Sequence, residues 1–105
     1  MSLPMSWQTA TIANTGTSTG AIDLGKVCDL AEVEWPTMTA CTISLQAARE
    51  SGDTYVALGN SISTANIGNG AFHDVFYIGG YQYIKLVSSG AQGGARSIKV
   101  RGIAL

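Results

Sequence analysis

Apolar and polar residues alternate with a period of two in one short segment after another of this chain, and no window carries an apolar stripe at i, i+3, i+4, i+7. A period of two belongs to a strand, whose successive side chains point to opposite faces, so the chain is constrained to an all-β fold. The alternation opens at Thr9–Ala13 and resumes at Gly20–Gly25, with Ile22 and Leu24 on one face. In Leu30–Trp35, Val33 and Trp35 oppose Glu32 and Glu34, and Pro36 then ends the pairing. Thr39–Ala48 sets Cys41, Ile43, Leu45 and Ala47 against Thr42, Ser44, Gln46 and Ala48 and is expected to be a central strand.

Turn chemistry separates these runs. Glu50, Ser51, Gly52 and Asp53 join Thr39–Ala48 to Tyr55–Leu58 as a hairpin, and Asn69-Gly70 closes the weakly patterned loop Asn60–Gly70. Phe72–Ile78 and Tyr83–Ser88 read as two strands around a turn at Gly79 and Gly80. The glycine-rich loop Ser89–Ala95 leads into a last strand, Ser97–Leu105. About seven or eight short strands at this spacing predict a single-domain antiparallel β-sandwich, jelly-roll or Ig-like, over residues 9–105. Residues 1–8 are expected to be a flexible N-terminal segment, with Met5 as an alternative natural start that makes Met1, Ser2 and Leu3 an expression leader.

Charge narrows the function. Six basic residues against seven acidic ones supply no field for displacing phosphate counterions, so no nucleic-acid partner is expected. The uncharged first 22 residues are mostly Thr, Ser, Asn, Gly and Ala after position 8, well short of the ~18 consecutive apolar residues of a membrane span. No membrane partner is expected either. A near-zero net charge with uncharged Gly, Ser, Thr and Asn loops leaves little repulsion between copies, which favours self-association.

Catalytic signatures are sparse. The lone His73 beside Asp74 has no G-x-S-x-G elbow to serve, and the loop glycines match neither a dinucleotide fingerprint nor a phosphate loop. Glu32 and Glu34 share a strand face and read as surface carboxylates paired across strands with Lys99 or Arg101. Cys28 and Cys41 fit no paired zinc spacing and leave two readings open, packed free thiols or one disulfide. The expectation is a non-enzyme with no catalytic residue, cofactor or metal. The large rings are too many for one core, and Trp35, Tyr55, Tyr81 and Tyr83 are the candidate interface or ligand-stacking residues. Tyr81 and Tyr83 share parity with Lys85.

The segments Thr9-Ala-Thr-Ile-Ala-Asn14, Gly20-Ala-Ile-Asp-Leu-Gly25, Ile43-Ser-Leu-Gln-Ala-Ala48, Ser51-Gly-Asp-Thr-Tyr55, Tyr83-Ile-Lys-Leu-Val-Ser-Ser89 and Arg96–Val100 together resemble small virion-associated proteins of tailed bacteriophages and prophages. The resemblance implies a capsid-decoration, head-fibre or tail-associated structural part, made in the host bacterial cytoplasm and located in the virion. Its implied partners are itself, as a homo-oligomer of which a trimer is one form, and phage head or tail proteins. A carbohydrate- or receptor-binding module is the alternative. There the rings of Trp35, Tyr81 and Tyr83 stack on a surface glycan.

Overall fold

The computed structural model describes residues 3–59 and 72–105; the expected loop and turn at Asn60–Gly70 lie outside them. All assigned elements are strands, paired antiparallel: β1 (Leu3–Pro4), β2 (Gln8–Ile12), β3 (Ile22–Trp35), β4 (Ile43–Ala48), β5 (Val56–Ala57), β6 (Phe72–Ser88) and β7 (Arg96–Ala104). They form one hydrogen-bonded sheet in the order β1-β7-β3-β6-β4-β5, and β2 also pairs with β7. Within the 1–8 segment, Leu3 and Pro4 pair with Ala104 and Ile103, and the Met5 N–H donates to the Gly102 carbonyl.

The sequence reading divides two strands that the structure keeps whole. The strands read at Gly20–Gly25, of which Ile22–Gly25 is extended, and at Leu30–Trp35 are parts of the single β3, and Gly79-Gly80 makes no hairpin between Phe72–Ile78 and Tyr83–Ser88 but a bend inside the single β6. Gly25, Gly79 and Gly80 have φ of 95°, 71° and 95°, a region a glycine enters without a Cβ clash. The β3–β6 register slips between Asp23, Cys28 and Leu30, opposite Tyr83, Tyr81 and Tyr77. Both strands therefore change direction side by side, as bulged strands do at sheet corners, without leaving the ladder.

On one side of the bend, Leu30–Trp35 of β3 lies between β7 and the first part of β6; on the other, the start of β3 lies beside Ile84 and Tyr83, followed by β4 and β5. The result is a β-sandwich-like fold made from one bent sheet. Its two inner faces meet in one core that includes Ile12, Cys28, Val33, Trp35, Phe76, Ile98 and Val100 from the first half and Ile22, Ile43, Leu45, Ile84 and Leu86 from the second. The parity predicted for β4 places Cys41, Ile43, Leu45 and Ala47 in that core, and β4 does sit inside the sheet, flanked by β6 and the two-residue β5. Cys28 and Cys41 are both free and buried, which settles the two readings in favour of packed thiols. Burial pushes both thiols up from their ordinary pKa.

Polar groups inside the fold are placed to satisfy the loops. Gln92 is fully buried and holds three segments together: its Oε1 accepts from the Thr39 N–H at 2.8 Å and from Arg96 Nε, its Nε2 donates to the Thr39 and Gly90 carbonyls, and its backbone pairs with Thr15 and Gly16. Gln92→Leu keeps the volume and removes these side-chain bonds, so it should cost about 1–3 kcal/mol, the range for orphaned buried donors and acceptors. Urea unfolding measures the loss, and a change within error of zero would show that water replaces the amide at no cost.

Candidate functional site

Two outer surfaces carry chemistry. The first covers the β7–β3–β6 half, where register stacks three rows. Lys99, Glu34 and His73 form one row, with Lys99 Nζ donating to Thr9 Oγ1 at 2.7 Å and His73 Nε2 3.9 Å from Glu34 Oε2. Arg101, Glu32 and Val75 form the next. Arg101 Nε donates to Glu32 Oε1 at 2.7 Å, and its guanidinium lies 4.5 Å from the ring centre of Trp7. The cross-strand carboxylate–cation pairing expected of these carboxylates is present at Glu32; Glu34 makes no such pair with Lys99 or Arg101 and stands 3.9 Å from His73. The last row, Ile103, Leu30 and Tyr77, is apolar. Trp7 is 43% exposed, Val75 55% and Tyr77 57%. This surface therefore combines an aromatic–Arg stack with an open apolar row, the residue chemistry enriched at binding hot spots.

The second surface lies over the β6–β4–β5 half. Positive-φ bending at Gly79 and Gly80 turns β6 so that Tyr81 enters the wall of a cleft of about 250 Å³, which also has Ala48, Arg49, Asp53, Thr54 and Val56 in its walls. The β4–β5 hairpin exists because Gly52, at φ 83°, and the Asp53 N–H bond to the Glu50 carbonyl close the turn that the sequence predicts. Tyr83 stands opposite Ala48 on one side and Asp23 on the other, and Tyr55 lies in the chain between the lining residues Thr54 and Val56. Lys85 Nζ sits 4.6 Å from the Tyr55 ring centre, a cation–π contact that fixes both side chains.

Electrostatics around these rings is ordered by hydrogen bonds. Asp23 accepts from Gln82 Nε2 and from the Gly25 N–H, and these bonds hold its carboxyl below the ordinary range. Burial raises the Tyr55 phenol, helped by the neighbouring Tyr83 and Asp23. The Tyr55 Oη is itself buried with no hydrogen-bond partner among the described residues.

Of the four rings singled out from sequence, Tyr81 lines the cleft, Tyr83 pairs with the lining residue Ala48, Tyr55 falls between the lining residues Thr54 and Val56, and Trp35 is removed from the surface. Trp35 is 0% exposed and part of the core, so it cannot stack on a ligand or a partner. The reason is parity: Trp35 shares its face with Ala31 and Val33, the inner face of β3, which packs into the common core. Sequence reasoning counted Tyr77 among the rings too many for one core but missed exposed Val75 and half-buried Leu30 and Ile103 on the same surface. The available signal was that Val75 and Tyr77 alternate with Phe76 and Ile78, so the first part of β6 is apolar on both faces. Among the described residues, no group of three or more His, Cys, Asp or Glu side chains could hold a metal ion.

No protein-family model matches the chain, and no curated protein matches it. Solved structures share its fold. The SPBc2 prophage-derived protein YomS is 16% identical with a TM-score of 0.56, over 97% of this chain and 96% of that one. Chitosan-binding module 1 from a chitosanase/glucanase of Paenibacillus sp. IK-5 is also 16% identical, with a TM-score of 0.55 over 90% of this chain and 76% of that one.

Proposed function

We propose that this chain is a non-catalytic structural part of a tailed-phage or prophage particle, working by docking its outer β7–β3–β6 surface on copies of itself or on a head or tail protein. The observation that carries this reading is that surface itself, which bears Trp7 stacked on Arg101 of β7 and, two strands away on β6, exposed Val75 and Tyr77. Small soluble domains seldom leave large apolar side chains in contiguous rows without a partner. Full-length fold similarity to a prophage-derived protein supports the same reading.

The test pairs the mass of the purified protein, by size-exclusion chromatography with light scattering over a wide concentration range, with its presence in purified particles. The expected result is a closed homo-oligomer or particle-bound protein, lost in a Trp7→Ser, Tyr77→Ser double variant that remains folded. A wild-type protein that is monomeric throughout and absent from particles would refute it.

A second reading, a carbohydrate-binding module, is favoured by one separate observation. The tyrosine cleft lies on the other half of the bent sheet, and the fold is shared with a chitosan-binding module. The two readings use different surfaces.

A further inference from the structure

Resting on the carbohydrate-binding reading, we propose that the cleft between the β4–β5 hairpin and Tyr81 takes an uncharged pyranose chain, one ring seated on Tyr81 with its hydroxyls held by Asp53 and Arg49. The shape fits one or two sugar rings: the walls combine an aromatic ring with small apolar groups, Ala48 and Val56, and a few polar ones, the make-up of an orienting site for an amphipathic ligand. A pyranose presents C–H faces to an aromatic ring and hydroxyls at its rim, and Tyr81 is half-buried, its body packed against the core.

Charge selects the class of sugar. Lys85 is committed to Tyr55, and Asp23 to Gln82 and Gly25. That leaves Arg49 and Asp53 as the ionised groups in the cleft wall, both exposed, and among the described residues neither side chain makes a hydrogen bond or ion pair. One cation and one anion give the cleft no net charge. A cationic amino sugar gains against Asp53 what it loses against Arg49, and a uronic acid meets the reverse. A neutral ring can use both, because a carboxylate accepts from hydroxyls and a guanidinium donates to them.

The experiment is a titration of the isotope-labelled full chain, followed by amide NMR shifts, with three probes of equal length: hexamers of N-acetylglucosamine, of glucosamine and of galacturonic acid. The neutral hexamer should move the amides of Ala48, Thr54, Val56 and Tyr81 and bind about tenfold more tightly than either charged one, a difference of about 1.4 kcal/mol. Tyr81→Ala should weaken the neutral hexamer about tenfold or more. Because Tyr81 touches the core, Asp53→Asn and Arg49→Gln on the exposed hairpin are measured as well. Each should weaken neutral binding several-fold, and Asp53→Asn should at the same time raise the affinity for the galacturonate hexamer, a readout that loss of folding cannot imitate. Tighter binding of either charged hexamer by the wild type would overturn the charge assignment. Neutral-sugar shifts confined to other residues would overturn the site and leave the carbohydrate reading standing. No shift with any saccharide at millimolar concentration would overturn both.

Discussion

Replacement of Trp35 by alanine is expected to lower the free energy of unfolding by about 3–5 kcal/mol, the range for truncating a buried aromatic side chain. A domain of this size is stabilised by only about 5–15 kcal/mol, so the variant should sit near the edge of folding at room temperature. Trp35 closes one end of the core: it is the last residue of β3, shares its face with Val33, and belongs to the same buried cluster as Met38 and Cys41. Nothing nearby can collapse into so large a space without disturbing Pro36 and the chain beyond it. Its Nε1 is buried without a partner among the described residues, so Trp35→Phe removes an unpaired donor along with part of the ring. Trp35→Phe should therefore cost much less, under about 1.5 kcal/mol. Urea unfolding followed by circular dichroism, which does not depend on tryptophan fluorescence, measures both. Equal losses for Phe and Ala would mean that the indole N–H, not ring volume, matters.

Gly102→Ala is the second large effect, opposite in kind. Gly102 lies in β7, paired with Ala31 of β3, and its backbone accepts from the Met5 N–H. A Cβ there would stand 2.5 Å from Cys28 Sγ, 3.1 Å from Cys28 Cβ and 3.3 Å from Leu24 Cβ. The thiol can rotate, but the two Cβ atoms are rooted in β3 beside the bend. Overpacking of this kind costs about 1–3 kcal/mol, and the larger Gly102→Val should reach or exceed the upper end. A double-mutant cycle with Cys28→Ala separates the contributions. Cys28→Ala removes the nearest atom, so Gly102→Ala should cost at least about 1 kcal/mol less in that background. Strict additivity would show that the Cβ atoms of residues 28 and 24, not the thiol, are what the new methyl meets.

These two positions also show how far the sequence could be read. Alternation exposed which residues of β3, β4 and β7 face inward, because a one-residue slip would place Val33, Ile43 or Val100 in water. The hairpin at Gly52 was legible because turn chemistry is local. The candidate cleft was legible only in part. Parity put Tyr81 and Tyr83 together, yet nothing local told Trp35 from them, since the face of a strand that is buried depends on what covers it. The need for glycine at 102 could not be foreseen, because its clash partners are more than 70 positions away in the chain.

What the sequence determined by itself is the all-β class, the inward parity of most strands, the near balance of basic and acidic residues and the chemistry of the hairpin turn. Each follows from residues within a few positions of one another or from a sum over the chain. The tertiary structure alone decided that four predicted strands are two long ones. Positive-φ glycines at 25, 79 and 80 permit a hairpin or a bend equally well, and only pairing with neighbouring strands selects the bend. That bend turns Tyr81 toward the β4–β5 hairpin, while cross-strand register aligns Arg101, Glu32 and Val75 on the opposite half, where Trp7 stacks on Arg101. Both candidate surfaces are products of long-range pairing, for which a single sequence carries no local signal.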